Sequence, residues 1–335
     1  MYAKRLAIDL GTTNTRIAVP GRGIVVDEPS VVAVSADTNK ILAVGKDAEE
    51  MLGKTPDSIV AVNPIKDGAI ASYKVTEGML RYFFDHIAGI FSFVRPEVII
   101  AVPAGITSTE RRAVVDAAVS AGAKQAYIIK SPVAAALGAG IPIGTPSGHM
   151  IIDIGGGTTE VAVISLGDIV VSESARIGGE EIDQAIINYV RKKYKLIIGL
   201  KTAQKIKHKI GSVVTQSKEK TLEVSGSNSV NNLPETLYVS NNDVAQAVGN
   251  VMSDIISSVK LVLQKTPPEL AADVIDKGMV MTGGGSLLRG SDQFLAKITG
   301  IPCQVADDAP NCVVKGAEIA LERLDDFKEK VLWLK

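Results

Sequence analysis

Short apolar runs dominate the start of the chain: Leu6 to Val19, Ile24 to Val26, Val31 to Val34 and Ile41 to Val44 read as strands, with a turn at Pro20-Gly21-Arg22-Gly23. β-Branched residues bounded by Gly and Pro predict an antiparallel opening. The period then changes. Val75 to about Ala88 predicts a helix, Val98 to Val102 a strand, Ser108 to about Ala121 a helix and Ala126 to Ile129 a strand. Ser108, with Arg111 and Arg112 behind it, reads as an N-cap without a full capping box. Pro132 opens an Ala-rich helix over Val133 to Gly140, at a position where proline is tolerated. The Gly/Pro-rich stretch from Gly140 to Gly148 marks a crossing between domains. Glu223 to Asn242 lacks helical periodicity and predicts a small β-containing subdomain or a loop. Val244, Val248, Val251, Ile255, Val259 and Val262 then recur every three or four residues, predicting one helix from Asp243 to about Gln264. Val313 to Phe327 predicts a last helix.

Composition agrees with alternating strands and helices. The 335 residues are enough for two substantial cores, and 46% hydrophobic with only 4% aromatic residues implies an interior of Ala, Val, Ile and Leu. A net charge of −1 gives no support to nucleic-acid binding. Cys303 and Cys312, with no secretory pattern over Met1 to Leu10, imply reduced thiols in a cytoplasmic protein. No apolar stretch reaches the ~18 to 20 residues of a membrane-spanning helix, so membrane contact is expected to be peripheral.

Chemistry concentrates at two similar points. Ile151-Ile152-Asp153-Ile154-Gly155-Gly156-Gly157-Thr158-Thr159-Glu160 delivers a carboxylate and a glycine turn to the end of an apolar run. Leu6-Ala7-Ile8-Asp9-Leu10-Gly11-Thr12-Thr13-Asn14-Thr15-Arg16 does the same, 144 residues earlier. Glycine turns let backbone N–H groups approach phosphate oxygens, threonines add hydroxyl donors, and an Asp can hold a water on a divalent cation. Either turn alone is also compatible with a mere hairpin corner. Two copies suggest two related domains that hold a metal–triphosphate between their facing Asp residues. A third turn, Met279-Val280-Met281-Thr282-Gly283-Gly284-Gly285-Ser286, lacks an acidic residue and suits a purine or ribose, with Ser286 capping the following helix. Taken alone it reads equally as an ordinary strand-to-helix turn.

In this order and spacing the three motifs resemble the actin, sugar-kinase and 70-kDa chaperone superfamily, and most closely the MreB family. The resemblance extends over nearly the whole chain, through Glu28-Pro29-Ser30-Val31-Val32-Ala33, Pro64-Ile65-Lys66-Asp67-Gly68, Val102-Pro103-Ala104-Gly105-Ile106-Thr107, Ala185-Ile186-Ile187-Asn188-Tyr189 and Pro267-Pro268-Glu269-Leu270-Ala271. It implies an α/β, actin-like ATPase fold: two related domains, each a mixed β-sheet flanked by helices, with an ATP cleft between them. The implied first domain covers residues 1–146 plus 314–335, with a small subdomain at about 33–65. The second covers 147–313, with a small subdomain at about 181–243.

By the same resemblance, Asp9 and Asp153 order the water shell of Mg²⁺, and Gly11, Thr12, Thr13 and Asn14 bind phosphates opposite Gly155, Gly156, Gly157 and Thr158. Gly283, Gly284, Gly285 and Ser286 approach the nucleoside, with Gln204 and Lys207 at its ribose and base. Hydrolysis is expected to be slow. MreB-like sequences carry Glu-Glu-Pro where this chain has Lys130-Ser131-Pro132, and Ser131 is too weak a base to activate water. General-base help is worth about 10²- to 10⁴-fold. Thr158 remains as a water-positioning residue and Asp153 as a weak contributor; Lys130 either stabilises a phosphate or is a plain surface lysine. The nucleoside helix also departs from the Glu-x-x-Lys-x-Glu pattern, reading Gln204-Lys205-Ile206-Lys207-His208-Lys209. The family's membrane loop corresponds to Ile87–Pro96, with Phe91, Phe93 and Val94 inserting at the interface. No added N-terminal amphipathic helix is expected, and Val331-Leu332-Trp333-Leu334 is expected to pack on the first domain, with a second membrane anchor as the alternative.

The implied protein is cytoplasmic, peripheral at the inner face of the plasma membrane, and self-associates into filaments that organise cell-wall synthesis machinery and rod shape, without nucleic acid. A small-molecule kinase or a monomeric chaperone-like ATPase of the same superfamily are the alternatives. The first lacks a further candidate catalytic Asp, and the second lacks room for a substrate-binding domain.

Overall fold

Two five-stranded sheets of identical wiring frame the molecule, a computed structural model that describes residues 5–88 and 95–324. The first half opens with β1 (Arg5–Leu10), β2 (Asn14–Val19) and β3 (Gly23–Pro29). A side sheet of β4 (Val32–Ser35), β5 (Ile41–Val44) and β6 (Ile59–Val62) carries α1 (Lys46–Met51). The ladder β7 (Ile65–Lys66) with β8 (Ala69–Ile70) leads to α2 (Tyr73–Ala88), β9 (Glu97–Val102), α3 (Ser108–Ser120), β10 (Gln125–Lys130) and α4 (Ser131–Gly138).

The second half repeats the opening with β11 (His149–Ile154), β12 (Thr159–Ser165) and β13 (Asp168–Ala175). Then come α5 (Gly179–Tyr194), β14 (Leu196–Ile197), α6 (Leu200–Ile210), β15 (Thr221–Asn228), β16 (Pro234–Ser240) and α7 (Asn241–Ala247). The chain closes with α8 (Gly249–Lys265), α9 (Pro268–Lys277), β17 (Met279–Thr282), α10 (Ser291–Thr299), β18 (Cys303–Val305) and α11 (Cys312–Glu322). The sheet orders are β10-β9-β1-β2-β3 and β13-β12-β11-β17-β18. In both, the first strand is antiparallel to its hairpin partner and parallel to the strand that returns after the helices.

The period of two along a strand decides where the chemistry points. Leu6, Ile8 and Leu10 enter a core under α2 and α3, while Ala7 turns the other way. On β11, Met150, Ile152 and Ile154 enter the second sheet's outer core, while Ile151 turns to the side shared with Ala7. Asp9 and Asp153 are in phase with Ala7 and Ile151, so both carboxylates stand on the inner faces. Between these faces lie α4 and α11, packed with Ala7, Ala18, Ala101, Ile151, Ala162 and Ile164 in one shared core. The two helices meet backbone to backbone: a Cβ on Gly138 would stand 1.8 Å from the Cys312 carbonyl oxygen, and one on Gly316 1.7 Å from that of Ala134.

Three sequence expectations change. The cap of α3 is Thr107 rather than Ser108, and its capping box is complete: Glu110 N–H donates to Thr107 Oγ1, while Thr107 N–H donates to Glu110 Oε2. The single helix expected from Asp243 is two, α7 and α8, meeting at Val248. Ser240 and Asp243 form a capping box that starts α7. Val248 N–H still donates to Val244 and Met252 N–H to Val248, so the apolar period runs through the joint and hides it. Ser286 caps no long helix; it lies buried in a 3₁₀ turn and donates to the Gly283 carbonyl at 2.6 Å. The segment from Glu223 is the β15–β16 hairpin. Phe91, Phe93, Val94 and Val331–Leu334 lie outside the described residues.

Candidate functional site

The β1–β2 and β11–β12 hairpins meet tip to tip and close one end of a cleft of about 550 Å³, a size suited to a nucleotide. Both turns close through the same bond, Gly11 N–H to the Asn14 carbonyl at 3.2 Å and Gly155 N–H to the Thr158 carbonyl at 2.8 Å. Each turn's carbonyls are also occupied from outside. Ser30 donates through Oγ to Gly11 and through N–H to Thr13, while the first N–H groups of α5, from Gly179 and Glu180, donate to Gly155 and Gly156. Among the described residues, the N–H groups of Thr12, Thr13, Gly156, Gly157 and Thr158 donate to no acceptor. Unpaired N–H groups in two opposed turns form a ready anion cradle.

The turns are close enough that side-chain size is limited. A Cβ on Gly156 would lie 1.9 Å from Thr13 Oγ1, and one on Gly157 would lie 2.8 Å from Thr12 Oγ1. Thr12 Oγ1 in turn accepts from Gly68 N–H at 3.0 Å, which ties the first turn to the loop between β7 and β8.

Asp9, largely buried, and the buried Asp153 and Glu160 line the cleft. Burial pushes Asp9 up to about 7, against the pull of the nearby Arg16, and pushes Asp153 up to about 6, against a hydrogen bond from Thr282 Oγ1 at 2.9 Å. Thr282 belongs to the third glycine motif, which therefore positions Asp153 as well as lining the cleft through Gly283, Gly284 and Gly285. The third carboxylate, Glu160, is raised to about 7 by burial although Ser174 Oγ and Ala104 N–H both donate to it. Ala104 follows β9 of the first sheet, so Glu160 ties one sheet to the other. Burial of this kind disfavours ionisation. A divalent cation between Asp9 and Asp153 would supply the charge that keeps both ionised, and hard oxygens with few protein ligands would fit Mg²⁺.

The remaining expected residues divide. Ser131 is the first residue of α4 and lines the cleft beside Thr158. Lys130 instead pairs with Asp168 at 3.5 Å, at the turn between β12 and β13. Gln204 and Lys207 line the same cleft, yet the Lys207 ammonium is committed to Asp183 at 2.7 Å and to the Gly179 carbonyl at 2.9 Å. It fixes α6 against α5 rather than standing free for a base. Ser286 does not line the cleft.

Sequence reasoning passed over Glu160, Asp183 and the role of Arg16. Asp183 is 2% exposed, raised by burial, and its Oδ1 has no partner among the described residues while it faces the cleft. A buried acceptor left open asks for a ligand hydroxyl. Its signal was a lone Asp within an amphipathic helix, which ordinarily reads as a solvated position.

The chain is similar to known proteins over nearly its whole length. The family model described as MreB/Mbl protein matches residues 3–329. The cell shape-determining protein Mbl of Bacillus cereus is 44% identical over 332 residues, 99% of this chain and 100% of its own. The cell shape-determining protein MreB of Escherichia coli K12 is 47% identical over 331 residues, 97% of this chain and 95% of its own. Among solved structures, MreB5 of Spiroplasma citri bound to AMPPNP superimposes with a TM-score of 0.92 at 38% identity, over 97% of this chain and 98% of that one. The MamK double helical filament gives 0.79 at 21% identity over 96% and 99%, a likeness of fold alone.

Proposed function

The chain belongs to the MreB/Mbl family, and on that premise we propose that it is an actin-like cytoskeletal protein that binds ATP with Mg²⁺ between its two sheets. It assembles into filaments at the inner face of the plasma membrane, where they organise the cell-wall synthesis machinery and rod shape. The observation that carries the nucleotide reading is the set of unpaired N–H groups on two opposed turns, with an Asp behind each, Asp153 buried and Asp9 largely so. The triphosphate lies between these turns, Asp183 Oδ1 accepts from a ribose hydroxyl, and Gln204 offers its amide to the same sugar. Mg²⁺, held by Asp9 and Asp153 through water, neutralises phosphate charge when bound.

Closure of the two sheets on the nucleotide favours the assembling conformation. Turnover is slow because Ser131 occupies the position from which a base would act. Thr158 orients water but accepts no proton, and both oxygens of Glu160 are already engaged. Membrane attachment through Phe91, Phe93 and Val94 follows the family pattern.

Electron microscopy and co-sedimentation with ATP, Mg²⁺ and anionic liposomes test assembly: filaments lying on the liposomes are expected, and a protein that stays monomeric across conditions overturns the filament reading. Phosphate release tests the turnover reading, with Ser131→Glu expected to be faster by about 10²- to 10⁴-fold. Equal rates would show that position 131 does not limit hydrolysis.

A further inference from the structure

The residue across the ladder from Asp9 is Arg16, an arginine directed into the cleft where the metal's charge is needed. Its position follows from the strand pattern. Ile17 and Val19 enter the outer core, whereas Ala18 lies on the inner face, and Arg16 is in phase with Ala18. The side chain is only 18% exposed. Nη1 lies 3.9 Å from Asp9 Oδ2, and Nε lies 3.1 Å from Asp27 Oδ1. Asp27 also accepts from Asn14 Nδ2 at 3.1 Å, so the guanidinium is anchored to the phosphate turn itself. The charge reaches further: Arg16 favours the ionised forms of Asp153 and Asp308 as well as Asp9.

Among the described residues the guanidinium makes these ion pairs but no hydrogen bond, and its buried Nε has no hydrogen-bond partner. A guanidinium has five donors in a planar fork that suits phosphate. A partly buried cation with unused donors, beside the turn and its carboxylate, is therefore placed to serve both.

We propose that Arg16 is a built-in cation of this cleft, doing part of the divalent ion's work, so that the chain holds a nucleotide's phosphates with a weakened requirement for Mg²⁺. The inference rests on the nucleotide reading above. Arg16 balances Asp9 and Asp153 while the cleft is empty of ligand and offers its free donors to the phosphate tail once nucleotide enters.

The test is a titration of the full chain with a fluorescent ATP analogue, in Mg²⁺ and in excess EDTA, with circular dichroism to verify folding of each variant. Removing Mg²⁺ is expected to weaken wild-type binding by less than about tenfold and to weaken Arg16→Gln by about 100-fold or more. Arg16→Lys, which keeps the charge, should restore most of the tolerance. If wild type and Arg16→Gln lose affinity equally on EDTA treatment, Arg16 does not share the metal's role and the inference is overturned. If Arg16→Gln fails to fold, Arg16→Lys decides: wild-type tolerance supports the inference, and loss by about 100-fold overturns it. A wild-type chain that binds nucleotide in neither condition overturns the nucleotide reading itself.

Discussion

The hairpin tips at Asp9 and Asp153 share one backbone bond pattern and differ in the charge that stands across the ladder from each Asp. Asp9 pairs across its ladder with Arg16, Asp153 with Glu160. The first carboxylate therefore faces a cation and the second faces another anion, although both are pushed up by burial. The difference shows that repetition extends to the binding turn and not to the electrostatics behind it. Arg16 tempers charge inside the cleft, whereas Glu160 spends its two oxygens on Ser174 and on Ala104 of the opposite sheet.

If the two turns grip one ligand, Asp9→Asn and Asp153→Asn should each weaken binding of Mg–ATP by up to about tenfold in isothermal titration, the share of the affinity that rests on Mg²⁺. A response from only one of them would break the equivalence. Next in size is the contact between the tips. Gly156→Ala would force a Cβ against Thr13 and should cost about 1–3 kcal/mol in urea unfolding. Gly144→Ala, where a Cβ meets nothing within 4 Å, should stay within about 0.5 kcal/mol of wild type.

The pH dependence sharpens the same comparison. Asp9 near 7 and Asp153 near 6 stand above the 3.8 of a free carboxyl. Between those values the folded chain keeps protons that the unfolded chain has released. The stabilisation these groups give the ligand-free fold is thus complete below 3.8 and is lost as pH rises through about 6 and then about 7. If Mg–ATP binds through both carboxylates in their ionised form, its affinity should move the opposite way, rising by about tenfold from pH ~5.5 to pH ~8. Titrations in buffers of different ionisation enthalpy should report proton release at the acid end. The smallest effect belongs to Lys130→Ala. The side chains of its pair with Asp168 are 31% and 61% exposed, and unfolding measurements should show a loss under about 1 kcal/mol.

The turns were legible because their signal is local: an apolar run, an Asp, a glycine and threonines within ten residues. That Asp9 and Asp153 face each other was legible too, from the duplication of the motif. What escaped reading depended on distant partners. Glu160 follows its turn like any polar strand residue, and its importance comes from Ala104, 56 positions away. Lys207 belongs to a basic run, but Asp183, on another helix, decides where its ammonium goes. The Thr107-x-x-Glu110 box was present in the sequence and was overlooked because the adjacent Ser108 satisfies the same cap preference.

The crossing of α4 and α11 gives the molecule an axle. At Gly138 and Gly316 no side chain cushions the helices, and close-packed backbone cannot be compressed. One sheet can therefore swing over the other by turning about this fixed bearing, while sliding along it would drive carbonyl oxygens into main chain. A nucleotide that drew the two hairpin tips together would produce rotation about a single line. Every subunit in a filament would then share the same stroke.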